Sequence, residues 1–179
     1  QRLHEHLRHE IFHLWMPNGI NLSGNYDWFY EGFAIYHALR TGVEMNQIRF
    51  DDFLNTLNQA YRMEQMMLDG GQNFSLIESS NKRWIGSGNY LFAKGLAVAF
   101  LCEAALVRES KGKLNLKDVF RQIFDKHRAP NQIQDGNSAI LSILNGFPEL
   151  RPIVQNFIIG KAKIEWETEL NSVGIKQEK

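Results

Sequence analysis

Apolar and polar positions alternate with a helical period along most of the chain, and clusters of Gly, Pro, Asn and Ser separate the periodic stretches. Leu3, Leu7, Ile11 and Leu14 make one stripe of a helix expected over residues 2–15, with His6, His9 and His13 on the neighbouring face. Pro17, Asn18 and Gly19 end it, and residues 21–25 form a turn-rich loop at the rim of the expected cleft. Asp27 is the expected N-cap of a second helix whose apolar face carries Trp28, Phe29, Phe33, Ile35, Tyr36 and Leu39, with Gly42 as its stop. A third, over 51–67, opens on two acids that suit the positive end of a helix and buries Phe53, Leu54, Leu57, Tyr61 and Met67; its expected role is structural only. From 68 to 87 no period holds, which predicts an irregular connection anchored by Trp84. Residues 91–107 are apolar almost all round and predict a central helix. The 113–128 stretch is amphipathic through Leu116, Val119, Phe120, Ile123 and Phe124. Shorter helices are expected over 137–144, 149–159 and 166–173, and no convincing strand is found. The fold class is therefore mainly α, in one domain spanning 1–179.

The first helix carries candidate chemistry. His9-Glu10-Ile11-Phe12-His13 places two imidazoles four residues apart, on one helix face, where both can point at one metal ion. A catalytic zinc takes three protein ligands and keeps a fourth position open for water. Glu31, in Trp28-Phe29-Tyr30-Glu31-Gly32-Phe33 on the second helix, is the best candidate for the third, so one Zn2+ held by His9, His13 and Glu31 is expected. Glu10 lies about 100° round the helix from His9, close enough to reach a water at the metal without being a ligand, and is placed as a general base. His6 reads as a surface or outer residue rather than a fourth ligand, because the fourth position is needed for chemistry.

These motifs resemble the gluzincin metallopeptidases. His9 to Trp15 followed by Trp28 to Phe33 is similar to the glycyl aminopeptidase family and the related aminopeptidase N family, with Trp15 leaning toward the former. Lys94-Gly95-Leu96-Ala97-Val98-Ala99 is similar to a helix start in both, and Phe157-Ile158-Ile159-Gly160, Trp166 and Gly174 resemble the end of the glycyl aminopeptidase domain. The resemblance implies the helical half of a thermolysin-like (gluzincin) metallopeptidase catalytic domain, with the two motif helices packed around the site. It implies a zinc-dependent aminopeptidase acting on a peptide substrate, and an upstream β-rich half that supplies the floor of the cleft. The chain is thus expected to be a fragment with an exposed apolar face where that missing half would dock.

The resemblance also implies a tyrosine as oxyanion donor two positions before the Lys-Gly pair. That position is Phe92, whose ring has no donor. Tyr90 is the candidate substitute if the chain there is still loop, since two steps along a helix turn a side chain about 200° away. With no donor, the expectation becomes a metal-binding, weakly active or inactive peptidase-like module; a different zinc hydrolysis such as epoxide opening is a third reading on the same fold.

Bulk properties narrow the partners. Lys+Arg and Asp+Glu are 20 each, so no net field favours nucleic acid, and nucleic-acid binding is not expected. The single cysteine, Cys102, cannot form an internal disulfide and reads as a small buried hydrophobe. No uninterrupted apolar run of membrane-spanning length is found, so no transmembrane segment is expected.

Overall fold

The stretch that is apolar all round becomes the axis of the fold. In the computed structural model, which describes residues 3–172, 174 and 175, it forms the helix Gly88–Glu109, with Leu91, Val98, Ala99, Cys102 and Leu106 fully buried. This helix is long and apolar enough to cross a membrane by length and composition, contrary to the expectation that no such stretch exists. The difference lies in Lys94 and Glu103, which interrupt the apolar run without lowering its average much. Since 83% of its most apolar window is buried inside the molecule, the helix serves here as a core element.

The remaining elements wrap this axis. In chain order they are α1 (Leu3–Trp15), the two-residue strand β1 (Leu22–Ser23), a π-helical turn (Trp28–Phe33) that runs into α2 (Ala34–Glu44), α3 (Phe50–Asp69), α4 (Leu76–Asn81), a 3-10 turn (Arg83–Ile85) and the axial helix, α5. Then come α6 (Leu116–His127), β2 (Gln134–Asp135), α7 (Gly136–Leu144), the turns Pro148–Leu150, α8 (Arg151–Ile153) and Val154–Ile159, and α9 (Trp166–Ser172). The architecture is mainly α, as the periodicity implied. The strands β1 and β2, unforeseen from sequence, pair in parallel through Leu22↔Gln134 and Ser23↔Asp135. Arg2 and Val173, the expected outer ends of the first and last helices, lie outside the described residues.

Three sequence expectations change. The 68–87 connection is not irregular throughout, because Ser75 and Glu78 form a capping box that starts α4: the Glu78 amide donates to Ser75 Oγ and the Ser75 amide to Glu78 Oε2, both at 3.1 Å. Trp84 is 86% exposed, with its ring 4.9 Å from the Arg83 guanidinium carbon, so it covers a neighbour at the surface and is not a buried anchor. Asp27 begins the second helical segment without capping it. Its own dihedrals are helical, and its carboxylate turns elsewhere, while the Trp28 amide donates to Ser80 Oγ at 2.8 Å.

The first helix is held through an unexpected face. α1 packs on α2 and buries His9 and Phe12, whose ring meets Trp15, His37 and Phe120. The stripe of Leu3, Leu7, Ile11 and Leu14 stays 51–71% exposed. α1 thus carries an exposed apolar face of the kind expected of the chain.

Between α5 and the π-helical turn the backbones touch. A Cβ built on Gly32 would lie 2.5 Å from Gly95 Cα, and one on Gly95 would lie 2.8 Å from Gly32 Cα. The glycine after Glu31 and the glycine after Lys94 are therefore the two halves of one helix crossing, and that crossing fixes the height of Glu31 over α5.

Candidate metal centre

Two helical elements deliver three ligand atoms to one point. His9 and His13 come from successive turns of α1, and Glu31 from the π-helical turn, whose wider winding is a common device at functional sites. His9 Nε2 and His13 Nε2 are 2.9 Å apart, and Glu31 Oε2 is 3.2 Å from the first and 3.7 Å from the second. Ligands around a tetrahedral zinc with bonds of ~2.0–2.1 Å are separated by ~3.3–3.4 Å, so the three atoms already stand near the spacing such an ion requires. Two imidazole nitrogens and one carboxylate oxygen are also the donor chemistry of a catalytic zinc. His13 Nδ1 lies 3.2 Å from the Met16 carbonyl oxygen, an acceptor that places the proton on Nδ1 and leaves the Nε2 lone pair for a metal. His9 Nδ1 is buried and finds no partner among the described residues.

Burial opposes the Glu31 carboxylate, but hydrogen bonds from His13 and His9 and the charge of Arg83 outweigh it and hold its pKa well below the usual carboxylate range. The hydrogen bond to Glu31 raises His13 above its ordinary value against the opposing effect of burial. In metal-free protein the two shifts act in different pH ranges. The Glu31 contribution to stability is present above about its ordinary 4.5 and fades as pH falls through the lowered value. The His13 contribution is present below about 6.5 and fades as pH rises through the raised value. Both are complete only between 4.5 and 6.5. A zinc ion held by these atoms would need both imidazoles neutral and would compete with protons at the cluster. The rise in urea midpoint on adding zinc to chelator-treated protein is expected to grow from pH 5.5 to pH 8; a rise independent of pH would show that the histidines are not the ligands.

Arg83, which the sequence did not mark, closes the site from the 3-10 turn. Its Nη2 donates to Glu31 Oε1 at 3.0 Å and its Nη1 to Asp27 Oδ2 at 2.9 Å. The Tyr30 hydroxyl donates to the other oxygen of Asp27 at 2.7 Å, and the Tyr30 ring meets His13 edge-on with centroids 6.0 Å apart. Arg83 lies more than fifty residues from both carboxylates, and no short-range pattern announces it.

The ligand atoms open into a cleft of about 1360 Å³. Glu10 stands on its wall, half-exposed, with its carboxylate 3.6 Å from His6 Nδ1. α3 also lines the cleft, through Asn55, Thr56, Gln59, Arg62 and Met63. Phe92 and Arg83 also face the cleft. Tyr90 does not reach the site. α5 has already begun at Gly88, so the two positions between Tyr90 and Phe92 rotate Tyr90 into the core, where it is fully buried. Its hydroxyl donates to the Phe74 carbonyl at 3.0 Å and accepts from Lys94 Nζ at 3.1 Å. Lys94, equally buried and pushed down to about 8 by desolvation, also donates to Phe74 O, which makes the Lys-Gly pair a core feature here.

No family model matches the chain, and no curated protein matches it either. The chemistry of the site therefore has to come from its geometry. Three groups that could hold a metal ion, a further carboxylate outside that cluster, and an open cleft along both make an arrangement that could support water-mediated hydrolysis.

Proposed function

We propose that the protein is a zinc-dependent metallopeptidase of gluzincin type, an aminopeptidase by its resemblance to the glycyl aminopeptidase family, and that the chain forms the helical half of a thermolysin-like catalytic domain. The observation that supports this most is the convergence of His9, His13 and Glu31 within 4.8 Å on the wall of a cleft that Glu10 also lines. His9, His13 and Glu31 would hold the ion. Zinc bound there supplies a nucleophile at neutral pH and a Lewis acid for the scissile carbonyl. Glu10 sits outside the ligand set on the same helix, takes the proton from the attacking water and passes it to the leaving amine. The amide and hydroxyl side chains of α3 offer donors and acceptors to an extended peptide backbone along the cleft.

A second reading has its own support. Phe92 occupies the position where the resemblance implies an oxyanion hydroxyl, and the Tyr90 hydroxyl is committed in the core. Loss of one such donor costs ~2.7–4 kcal/mol of transition-state stabilisation, which favours a metal-binding module with weak or no turnover. Zinc content and hydrolysis of a panel of aminoacyl and amino-blocked peptide substrates, measured on the full-length protein, separate the readings. One zinc per chain with turnover of unblocked substrates is expected. Zinc without turnover selects the second reading, and absence of zinc overturns both.

A further inference from the structure

The two oxygens of Glu31 have different partners. Oε2 faces His9 and His13, whereas Oε1 accepts from Arg83 Nη2. Arg83 is itself held by Asp27 through Nη1 and by the Trp84 and Phe92 rings, 4.9 and 5.4 Å from the guanidinium carbon. Asp27 is fixed in turn by the Tyr30 hydroxyl. The side chains of Arg83, Asp27 and Glu31 are only 18%, 12% and 11% exposed, so these contacts are little screened by solvent.

We propose that Arg83 is a positioning residue for the metal: it ties up Glu31 Oε1, restricts Glu31 to single-oxygen ligation through Oε2, and so keeps the fourth coordination position open. The proposal rests on the zinc reading of the site. A carboxylate with both oxygens free can turn to bind an ion through both, and the second oxygen would then occupy space needed by water or substrate. A guanidinium prevents that turn because its donors sit in a rigid planar fork, here spread across two carboxylates. Asp27 balances the Arg83 charge, so the clamp brings little net repulsion toward a cation. A network runs from Arg83 through Glu31 to His13, on to Tyr30 and Asp27, and back to Arg83. It couples the turn before α5 to ligands on two other elements.

A role limited to balancing buried charge would leave coordination untouched, and this difference is measurable. Zinc affinity is determined by competition with a chromophoric chelator, and visible absorption is recorded for the cobalt(II)-substituted protein, on the full-length chain and its Arg83→Gln and Arg83→Lys variants, with circular dichroism to follow folding. Lysine keeps the charge but has no fork. Both variants are expected to bind zinc 10–100-fold more weakly, the usual range for losing an outer partner of a ligand. Both are also expected to show lower cobalt absorptivity, as Glu31 Oε1 joins the ion and raises its coordination number. If Arg83→Gln does not fold, Arg83→Lys decides alone. An Arg83→Lys protein with parental affinity and spectrum, or either folded variant with a parental cobalt spectrum, overturns the clamp while leaving the zinc reading intact. A parent that takes up neither metal overturns the zinc reading itself.

Discussion

Glu10→Gln is expected to leave zinc bound and to lower kcat/KM by 10²- to 10⁴-fold, the range for loss of a positioned general base. The carboxamide has the shape of the carboxylate but cannot take a proton from water. Glu10 is not among the converging ligand atoms, so metal content should not change. Its side chain is 52% exposed and pairs at the surface with His6, itself 56% exposed, so stability should stay within about 0.5 kcal/mol of the parent. The decisive comparison is metal content, urea midpoint and turnover of the same preparation. Loss of turnover together with loss of zinc would make Glu10 a structural residue. Full turnover in a zinc-loaded variant would move the base elsewhere, with His6, 3.6 Å from the Glu10 carboxylate, the next residue to test.

What the sequence made legible follows the range of the interactions involved. His9 and His13 stand one turn apart on the same helix face, so their convergence could be read from spacing alone, and Glu31 needed only one short connection. The central helix was legible because a segment apolar all round has to be buried. Tyr90 turned on a boundary of a few residues: starting α5 at Gly88 rather than Leu91 converts a loop side chain into a core one, and helix ends are the least certain part of any pattern. The apolar stripe of α1 illustrates a different limit. Periodicity identifies a face but not its neighbour, and in this chain α1 is held by Phe12 and His9 while Leu3, Leu7, Ile11 and Leu14 face outward. Arg83 was beyond reach, since its partners are set by tertiary packing. The α4 start was not: Ser75 and Glu78 carry the capping-box signature, and the glycines around them obscured it.

Gly32→Ala is expected to destabilise the protein by about 3 kcal/mol, the upper end of the usual range for forcing atoms into a packed interior, and to weaken zinc binding at the same time. Alanine ordinarily gains up to about 1 kcal/mol over glycine within a helix, but the new methyl would lie 2.5 Å from Gly95 Cα and 2.8 Å from its carbonyl carbon. Backbone cannot rotate aside as a flexible side chain can, so the π-helical turn and α5 must separate, and the crowding term outweighs the propensity gain. For a chain of this size, about 3 kcal/mol corresponds to roughly 6–12 °C in Tm. Glu31 immediately precedes the contact. Separating the elements therefore lifts its Oε2 away from His9 and His13, which lie on α1 and do not move with it. Gly70→Ala, where the added methyl meets nothing closer than 3.4 Å, serves as the control and should shift Tm by no more than about 2 °C. A Gly32→Ala protein with parental Tm and zinc affinity would show that the crossing relaxes without strain, and that the Glu-Gly and Lys-Gly pairs do not set the geometry of the site.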